Sequence, residues 1–418
     1  MKSKNNWELK SLDELGFVGR GKSRHRPRNE PALYGGHYPF IQTAEIRASD
    51  LYITKYTQTY SEVGFAQSKM WDTGTLCITN AGENTGESAI LGFKSCFPDS
   101  IIAFIADTQK ADVRFVKYFL DTIKPRIKSI TKGATQDNLS VDKLLSFKMP
   151  TPPLDTQRKI ASVLSSYNDL VHNSQRRIQI LEETLDLFFK KWFVEFRIPN
   201  REITLIETPI GDIPSEWNMA SLKNFAEFIR GIEPGSKNYI EDPSDSTVPF
   251  LRVGDLGSRK WGVYILKELS QGKLLEKTDI AITLDGTAGI VRVGLEGCYS
   301  TGIRKVAINN NTEAITWGFL YCLLKSRYIQ DVIKAHAKGT TILHAGSSID
   351  YMSFPLPPRD VIGKFESLAE PILKYIINLQ ERIVNLRQTR DLLLPKLISG
   401  EVDVEGLDIN TGKLYAEA

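Results

Sequence analysis

Metal and disulfide chemistry have little to work with in this chain, whose 418 residues include four cysteines and five histidines. Cys77, Cys96, Cys298 and Cys322 show no CxxC spacing, which argues against a zinc site and a disulfide framework and leaves small buried hydrophobes as the simplest reading. His25, His37, His172, His336 and His344 are scattered, and neither HExxH nor the [DN]PP[YFW] and FxGxG patterns of amino-methyltransferases occur. Nothing resembles an acid-base or metal site, so catalysis, if any, is expected to come from partners. No run approaches the roughly 18 apolar residues of a membrane span, and the opening MKSKNNWELK lacks an apolar h-region. A cytoplasmic protein without membrane contact is expected. Net charge is only +3, so any basic surface must be local.

Hydrophobic residues at 41% and charged residues at 25% are globular proportions, and the length exceeds what one core usually supports. Self-comparison shows why. Trp7 to Leu12 (WELKSL) recurs as Trp217 to Leu222 (WNMASL), and at the same shift PFIQTAEI (Pro39 to Ile46) falls on PFLRVGDL (Pro249 to Leu256). KGATQ from Lys132 meets KGTTI from Lys338, FKMPTPPLDTQRKI from Phe147 meets FPLPPRDVIGKF from Phe354, and RRIQILEETLDLFFKK from Arg176 meets ERIVNLRQTRDLLLPK from Glu381. One structural plan is used twice.

Each half opens with short β-type runs between Gly-rich and Asn-rich turns: TLCIT (Thr75 to Thr79) and SIIAFIA (Ser100 to Ala106) in the first, DIAIT (Asp279 to Thr283) and RKVAI (Arg304 to Ile308) in the second. Helical stretches follow, from Asp112 to Ile130 and from Thr316 to about Ala337. Pro150, Pro152 and Pro153, like Pro355, Pro357 and Pro358, then give extended backbone before a long helix. In the first long helix Ile160, Leu164, Tyr167, Val171, Ser174, Ile178, Leu181, Leu185, Phe188 and Trp192 keep a 4-3 spacing, the seam of a coiled coil.

The second carries Phe365, Ala369, Ile372, Ile376, Leu379, Ile383, Leu386, Arg390, Leu393 and Leu397, with one charged interruption, and Pro371 should start or kink it. A lone helix of about 35 residues cannot bury such a seam, whereas two in one chain can bury each other. If an internal two-fold axis relates the halves, the helices cross or run antiparallel, with a globular domain toward each end.

One motif points elsewhere. GFVGRGKS (Gly16 to Ser23) matches the phosphate-cradling GxxxxGK[ST]. The preceding WELKSLDEL is polar, Pro27 and Pro31 stand where a helix should begin, and Gly21-Lys22-Ser23 becomes Gly231-Ile232-Glu233 in the second copy. The glycine survives as a turn while the lysine and hydroxyl do not, so the stretch reads as the start of a basic loop.

With two such halves, and with KGATQDNLSVDKLLSFKMPTPPLDTQRKIASVL (Lys132 to Leu164) as the most telling stretch, the chain resembles the specificity (S) subunit of type I restriction-modification systems from Trp7 to about Val404. The second copy departs from the first at KGTTILH, where the Gln136 position is not repeated. The resemblance implies an α+β fold with two pseudo-symmetric globular target-recognition domains separated by two long antiparallel coiled-coil helices. The expected boundaries are 1–153, 154–200 (helix), 201–358, 359–400 (helix) and a tail at 401–418. It also implies a non-catalytic, sequence-specific binder of double-stranded DNA, each domain reading one half of a split target and the helices setting the gap. Two methyltransferase (M) subunits and restriction-translocase (R) subunits would be its partners. No cofactor would be bound directly; S-adenosylmethionine, ATP and Mg would be used by those subunits. The alternatives are a coiled-coil scaffold without DNA binding and a P-loop nucleotidase.

For DNA contact, Arg20, Lys22, Arg24, Arg26 and Arg28 alternate along RGKSRHRPR, and an extended segment would put all five on one side, able to neutralise phosphates or read guanine. The second copy retains Arg230 and Lys237 in IRGIEPGSKNY. Further candidates are Gln42 and Thr43 with the counterpart Arg252, the turn NAGENTG with Asn80 and Asn84, and Arg259 and Lys260 in SRKWG. Lys132 and Lys338, beside Gly133 and Gly339, are expected on phosphate, with Gln136 and Thr340 in the same elements. Phe189 and Phe193 lie off the seam, free either to meet an M subunit or to pack on the adjacent domain.

Overall fold

The computed structural model of the chain describes residues 7–131, 138–208, 211–258, 262–309, 313–339 and 344–412. The chain divides into two compact units, Met1–His172 with Val384–Ala418, and Asn173–Ile383. The first unit runs β1 (Glu8–Lys10), α1 (Leu12–Leu15), β2 (Gly16–Arg20), β3 (Tyr34–Phe40), α2 (Thr43–Arg47), β4 (Tyr52–Ile53), β5 (Gln58–Tyr60), α3 (Glu62–Ala66), β6 (Met70–Trp71), β7 (Leu76–Thr79), β8 (Ser88–Leu91), β9 (Ser95–Cys96), β10 (Ile101–Ala106), α4 (Val113–Thr131), α5 (Val141–Leu145) and β11 (Met149–Thr151). The long α6 (Leu154–Phe193) follows and contributes to both units. The second unit has β12 (Leu205–Ile206), β13 (Ile213–Pro214), β14 (Asn218–Ser221), β15 (Ala226–Arg230), β16 (Thr247–Leu251), α7 (Val253–Ser258), β17 (Tyr264–Leu266), β18 (Leu274–Leu275), β19 (Ile280–Thr283), β20 (Val291–Arg292), β21 (Gly297–Tyr299), β22 (Ile303–Ile308), α8 (Trp317–Lys325), α9 (Arg327–His336) and β23 (Ser353–Leu356). The chain ends on α10 (Arg359–Ile398), also shared.

The apolar runs become central strands because both sheet faces are covered. In the order β2-β10-β7-β8-β4, Ile78, Ile102 and Phe104 enter a core with α4, while Cys77, Ile101 and Ala103 enter another with Trp71 and Phe97. The second unit repeats this as β15-β22-β19-β20, down to the register: Arg20 faces Ile102 where Arg230 faces Arg304, and Ile78 faces Ile102 where Ile282 faces Arg304. A smaller sheet also recurs, pairing Phe40 with Cys96 and Phe250 with Cys298 in parallel. All four cysteines are free and buried.

The repeat also accounts for the glycine of GFVGRGKS, although not as a turn. Gly21 donates its N–H to Ile101 O and Gly231 to Ile303 O. Neither has a positive φ. An added Cβ would lie 2.1 Å from the Pro98 carbonyl oxygen at Gly21 and 2.2 Å from that of Tyr299 at Gly231, so close backbone approach, rather than turn geometry, demands glycine in both copies. Gly21→Ala or Gly231→Ala is expected to cost about 1–3 kcal/mol in urea unfolding, whereas Gly254→Ala, with open space around it, should cost none.

The two long helices have 40 residues each. In the second unit Phe189 and Trp192, near the end of α6, meet Phe365 near the start of α10. In the first, Arg390 near the end of α10 donates to the Asn168 amide oxygen at 2.5 Å. Start meets end each time, which is antiparallel pairing. The charged interruption in the seam is thereby satisfied: Asn168 passes the contact to the Tyr118 hydroxyl at 3.0 Å.

Two expectations need correction. The helix α10 is continuous through Pro371. Pro371 and Ser367, whose carbonyl loses its donor, are both exposed, so water can replace the bond while Phe365, Ala369, Leu373 and Ile376 stay buried on the opposite stripe. The stretch from Thr316 to Ala337 is two helices, broken where Ser326 turns extended with ψ 161°, and the Gln330 amide caps the freed Leu324 carbonyl at 2.7 Å. Of the two readings open for Phe189 and Phe193, the structure takes packing on the adjacent domain: both are buried with Phe319 and Phe365 in the second unit. After α10, Val404 is in the first unit's core, Lys159 Nζ donates to Glu405 O at 2.8 Å, and the Trp7 indole lies on Gly400.

Candidate nucleic-acid interface

The turn after β7 is the fixed point of the first unit's polar end. Thr79 donates its hydroxyl to Asn84 O, Asn80 N–H bonds Ser100 O at 3.0 Å, and Leu139 N–H bonds Asn80 O at 2.7 Å. The Asn80 side chain is buried and donates to Asp99 O at 3.0 Å, so it supports the turn instead of reaching outward. Asn84, at the tip, is half-exposed. The second unit builds the same device: Thr283 donates to Thr287 O at 2.6 Å, and Ala345 N–H bonds Leu284 O at 2.7 Å. The segments that follow the two KG elements are therefore tied to the polar turn in both copies. Lys132, Gln136, Arg259, Lys260 and Thr340 themselves lie outside the described residues.

The basic loop joins this cluster in the first unit. Its backbone is pinned by Lys22 N–H on Phe97 O at 3.0 Å, by Ser68 Oγ on Lys22 O at 2.8 Å, and by the Gln67 amide oxygen, which accepts from Arg24 and His25. Arg20 ends β2 and is exposed, as is Arg24, whereas Lys22 is half-buried. The expected one-sided strip does not persist, because the chain turns at residues 26–29. There Arg26 and Arg28 both converge on the Asp99 carboxylate.

In the second unit Arg230 ends β15 beside Arg304, a buried arginine that bonds Thr301 O and Ile303 O, with Asp285 3.9 Å away. Burial pushes its pKa down and Asp285 opposes the shift; an arginine stays charged regardless. Asp285 Oδ1 also lies 2.8 Å from Nδ1 of the exposed His344. Lys338 and His344 exchange both backbone hydrogen bonds, at 3.1 and 2.7 Å, and Gly339 takes φ +124°. Lys338 is left exposed at a hairpin neck, and Lys237 is exposed on a short 3-10 turn.

Gln42 and Arg252 are brought into different company. Each precedes a short helix and gives its N–H to the acid three residues on, Glu45 or Asp255, at 2.9 Å. Gln42 then bonds Gln58 at 2.6 Å and Arg252 pairs with Asp255 at 3.2 Å, so neither belongs to the turn cluster, and Thr43 only opens α2. The residues that sequence reasoning missed are Asp99, Asp285, Arg304 and His344. Arg304 had a signal: the first copy places Ile102 at the same register, so the charge belongs to one copy alone.

Among the described residues no group of His, Cys, Asp and Glu could hold a metal ion, and no helix is long and apolar enough to cross a membrane. The family model for the type I restriction modification DNA specificity domain matches residues 4–183 and again 214–380. The MjaIX specificity subunit of a type I restriction enzyme from Methanocaldococcus jannaschii is 27% identical over 427 residues, covering 96% of this chain and 94% of that protein. The putative MjaX specificity subunit from the same organism is 24% identical over 422 residues, again covering 96% and 94%. The crystal structure of a type I restriction-modification S subunit from M. genitalium superposes with a TM-score of 0.57 at 18% identity, over 95% of this chain and 99% of that one.

Proposed function

The chain belongs to the type I restriction-modification DNA specificity family, and from that premise we propose that each unit reads one half of a bipartite duplex target through its polar turn, KG element and basic loop. One observation carries the reading: the same scaffold, in the same register, presents different charges in its two copies. Where the first unit has Ile102 the second has Arg304, and the loop with Arg20, Lys22, Arg24, Arg26 and Arg28 is replaced by one with Arg230 and Lys237. Equal scaffolds with unequal surfaces suit two half-sites of unequal sequence, and the long helices α6 and α10, to which both units contribute, would set the gap.

On this reading the chain is not catalytic. It positions two M subunits that methylate with S-adenosylmethionine and admits R subunits that use ATP and Mg. Exposed apolar side chains on the long helices support docking of two copies of one partner: Leu170 at 41% and Leu187 at 50% exposure on α6 have their repeat equivalents in Tyr375 at 45% and Leu392 at 70% on α10.

Co-expression with the neighbouring methyltransferase, followed by genome-wide mapping of modified adenines, tests the reading. A split motif is expected, and unmodified DNA from an intact complex would favour a scaffold without DNA binding. Lys338→Ala should weaken binding of every sequence alike and flatten the slope of log K against log salt by about 0.9, leaving the motif unchanged. A change of motif would assign Lys338 to base reading instead.

A further inference from the structure

Two arginines of the first unit share a single carboxylate. Arg28 Nη2 bonds Asp99 Oδ1, and Arg26 Nη2 lies 3.7 Å from Oδ2. All three side chains keep substantial exposure, 54% for Arg26, 46% for Arg28 and 42% for Asp99, so an incoming anion can reach the group. The geometry is held from both sides. Asn80 grips the Asp99 carbonyl, and Ile101 N–H bonds Pro98 O across it at 3.1 Å. Arg26 also donates to Ser23 O at 2.9 Å, and the Tyr34 hydroxyl holds Arg28 O at 2.6 Å. Counted back from β10 and β22, the position of Asp99 is Thr301 in the second unit, where no acid stands and the carbonyl serves Arg304 instead.

A carboxylate with an arginine on each oxygen resembles a phosphate held by two guanidinium groups. We propose that Asp99 is a specificity-determining residue that stands in for a DNA phosphate on Arg26 and Arg28 in the free chain. The inference rests on the DNA-reading function. A duplex of arbitrary sequence then gains little from these arginines, because its phosphate only replaces another anion. A cognate duplex adds base contacts that drive the exchange. Non-specific affinity, which comes almost wholly from phosphate contacts, is thereby held down in the first unit, while among the described residues of the second unit no carboxylate forms a salt bridge with Arg230, Lys237 or Lys338.

Fluorescence anisotropy with the full chain and a labelled duplex of scrambled sequence tests this. Asp99→Asn keeps the backbone contacts to Asn80 and is expected to bind that duplex roughly three- to tenfold more tightly at low salt, the advantage shrinking as salt rises. Asp99→Glu should behave like the unaltered chain, and adding Arg26→Gln and Arg28→Gln to Asp99→Asn should abolish the gain. Unchanged or weaker binding by Asp99→Asn would overturn the proposal and make Asp99 an orienting group. If the unaltered chain binds neither this duplex nor the mapped motif, the DNA-reading function fails first, and the inference with it.

Discussion

Exchanging residues 7–151 for the matching segment of another specificity subunit is expected to replace one half of the methylated motif and leave the other half and the gap as they were. The limits follow from the fold. β1 pairs Glu8 with Thr151 and Lys10 with Met149 of β11, so a graft must carry both strands or break the ladder that closes the unit. Within those limits lie the basic loop, the turn at Asn80 and Asn84, and Asp99, while α6 and α10 stay native. Each mismatched base pair costs about 1–3 kcal/mol, so even two in one half-site lower occupancy of the original motif by roughly thirtyfold or more. Sequencing of modified DNA reads the outcome. A graft that altered both halves, or neither, would contradict two independent readers. Because Ile160, Leu164, Leu397 and Val404 belong to the same core as Phe104 and Phe115, a thermal melt of the hybrid must accompany the mapping.

Local periodicity and self-similarity made much of the fold legible. The short β-type runs LCIT and IIAFIA placed strands, the 4-3 seam placed two long helices, and the 210-residue offset between Trp7 and Trp217 anticipated equivalent pairings. What stayed hidden depends on partners distant in sequence. Alternation of Arg20 to Arg28 cannot reveal that Asp99, 71 residues from Arg28, draws two of those arginines onto one carboxylate. Asn80 reads as a polar turn residue, and only its bond to the Asp99 carbonyl makes it structural. A proline predicts a helix end from its own chemistry, yet Pro371 sits on the exposed stripe, where burial of Phe365 and Ile376 outweighs one lost bond. Ser326 breaks a helix because the Gln330 side chain can satisfy what the break exposes.

Phe193→Ala is expected to lower the stability of the second unit by about 3–5 kcal/mol, the range for large-to-small aromatic changes in a core. The side chain is 2% exposed. Its ring centroid lies 4.9 Å from Phe189, 5.0 Å from both Phe319 and Phe365, and 6.0 Å from Trp217. Those partners come from α6, α8, α10 and the segment leading into β14, so one truncation opens a cavity where four parts of the unit meet. The repeat supplies an internal control, for at the equivalent position at the end of α10 the first unit has Ile398, an aliphatic residue fully buried in its own core. Since the two cores share no residue at this point, the first unit's urea transition should keep its midpoint while the second unit's falls. Phe17→Ala, at 53% exposure, should move either midpoint by less than about 1 kcal/mol. Methylation should fail altogether in Phe193→Ala above the lowered transition, because a complex that reads only one half-site lacks the affinity to discriminate it. Methylation of a motif shortened to the first half would instead mean that one reader suffices.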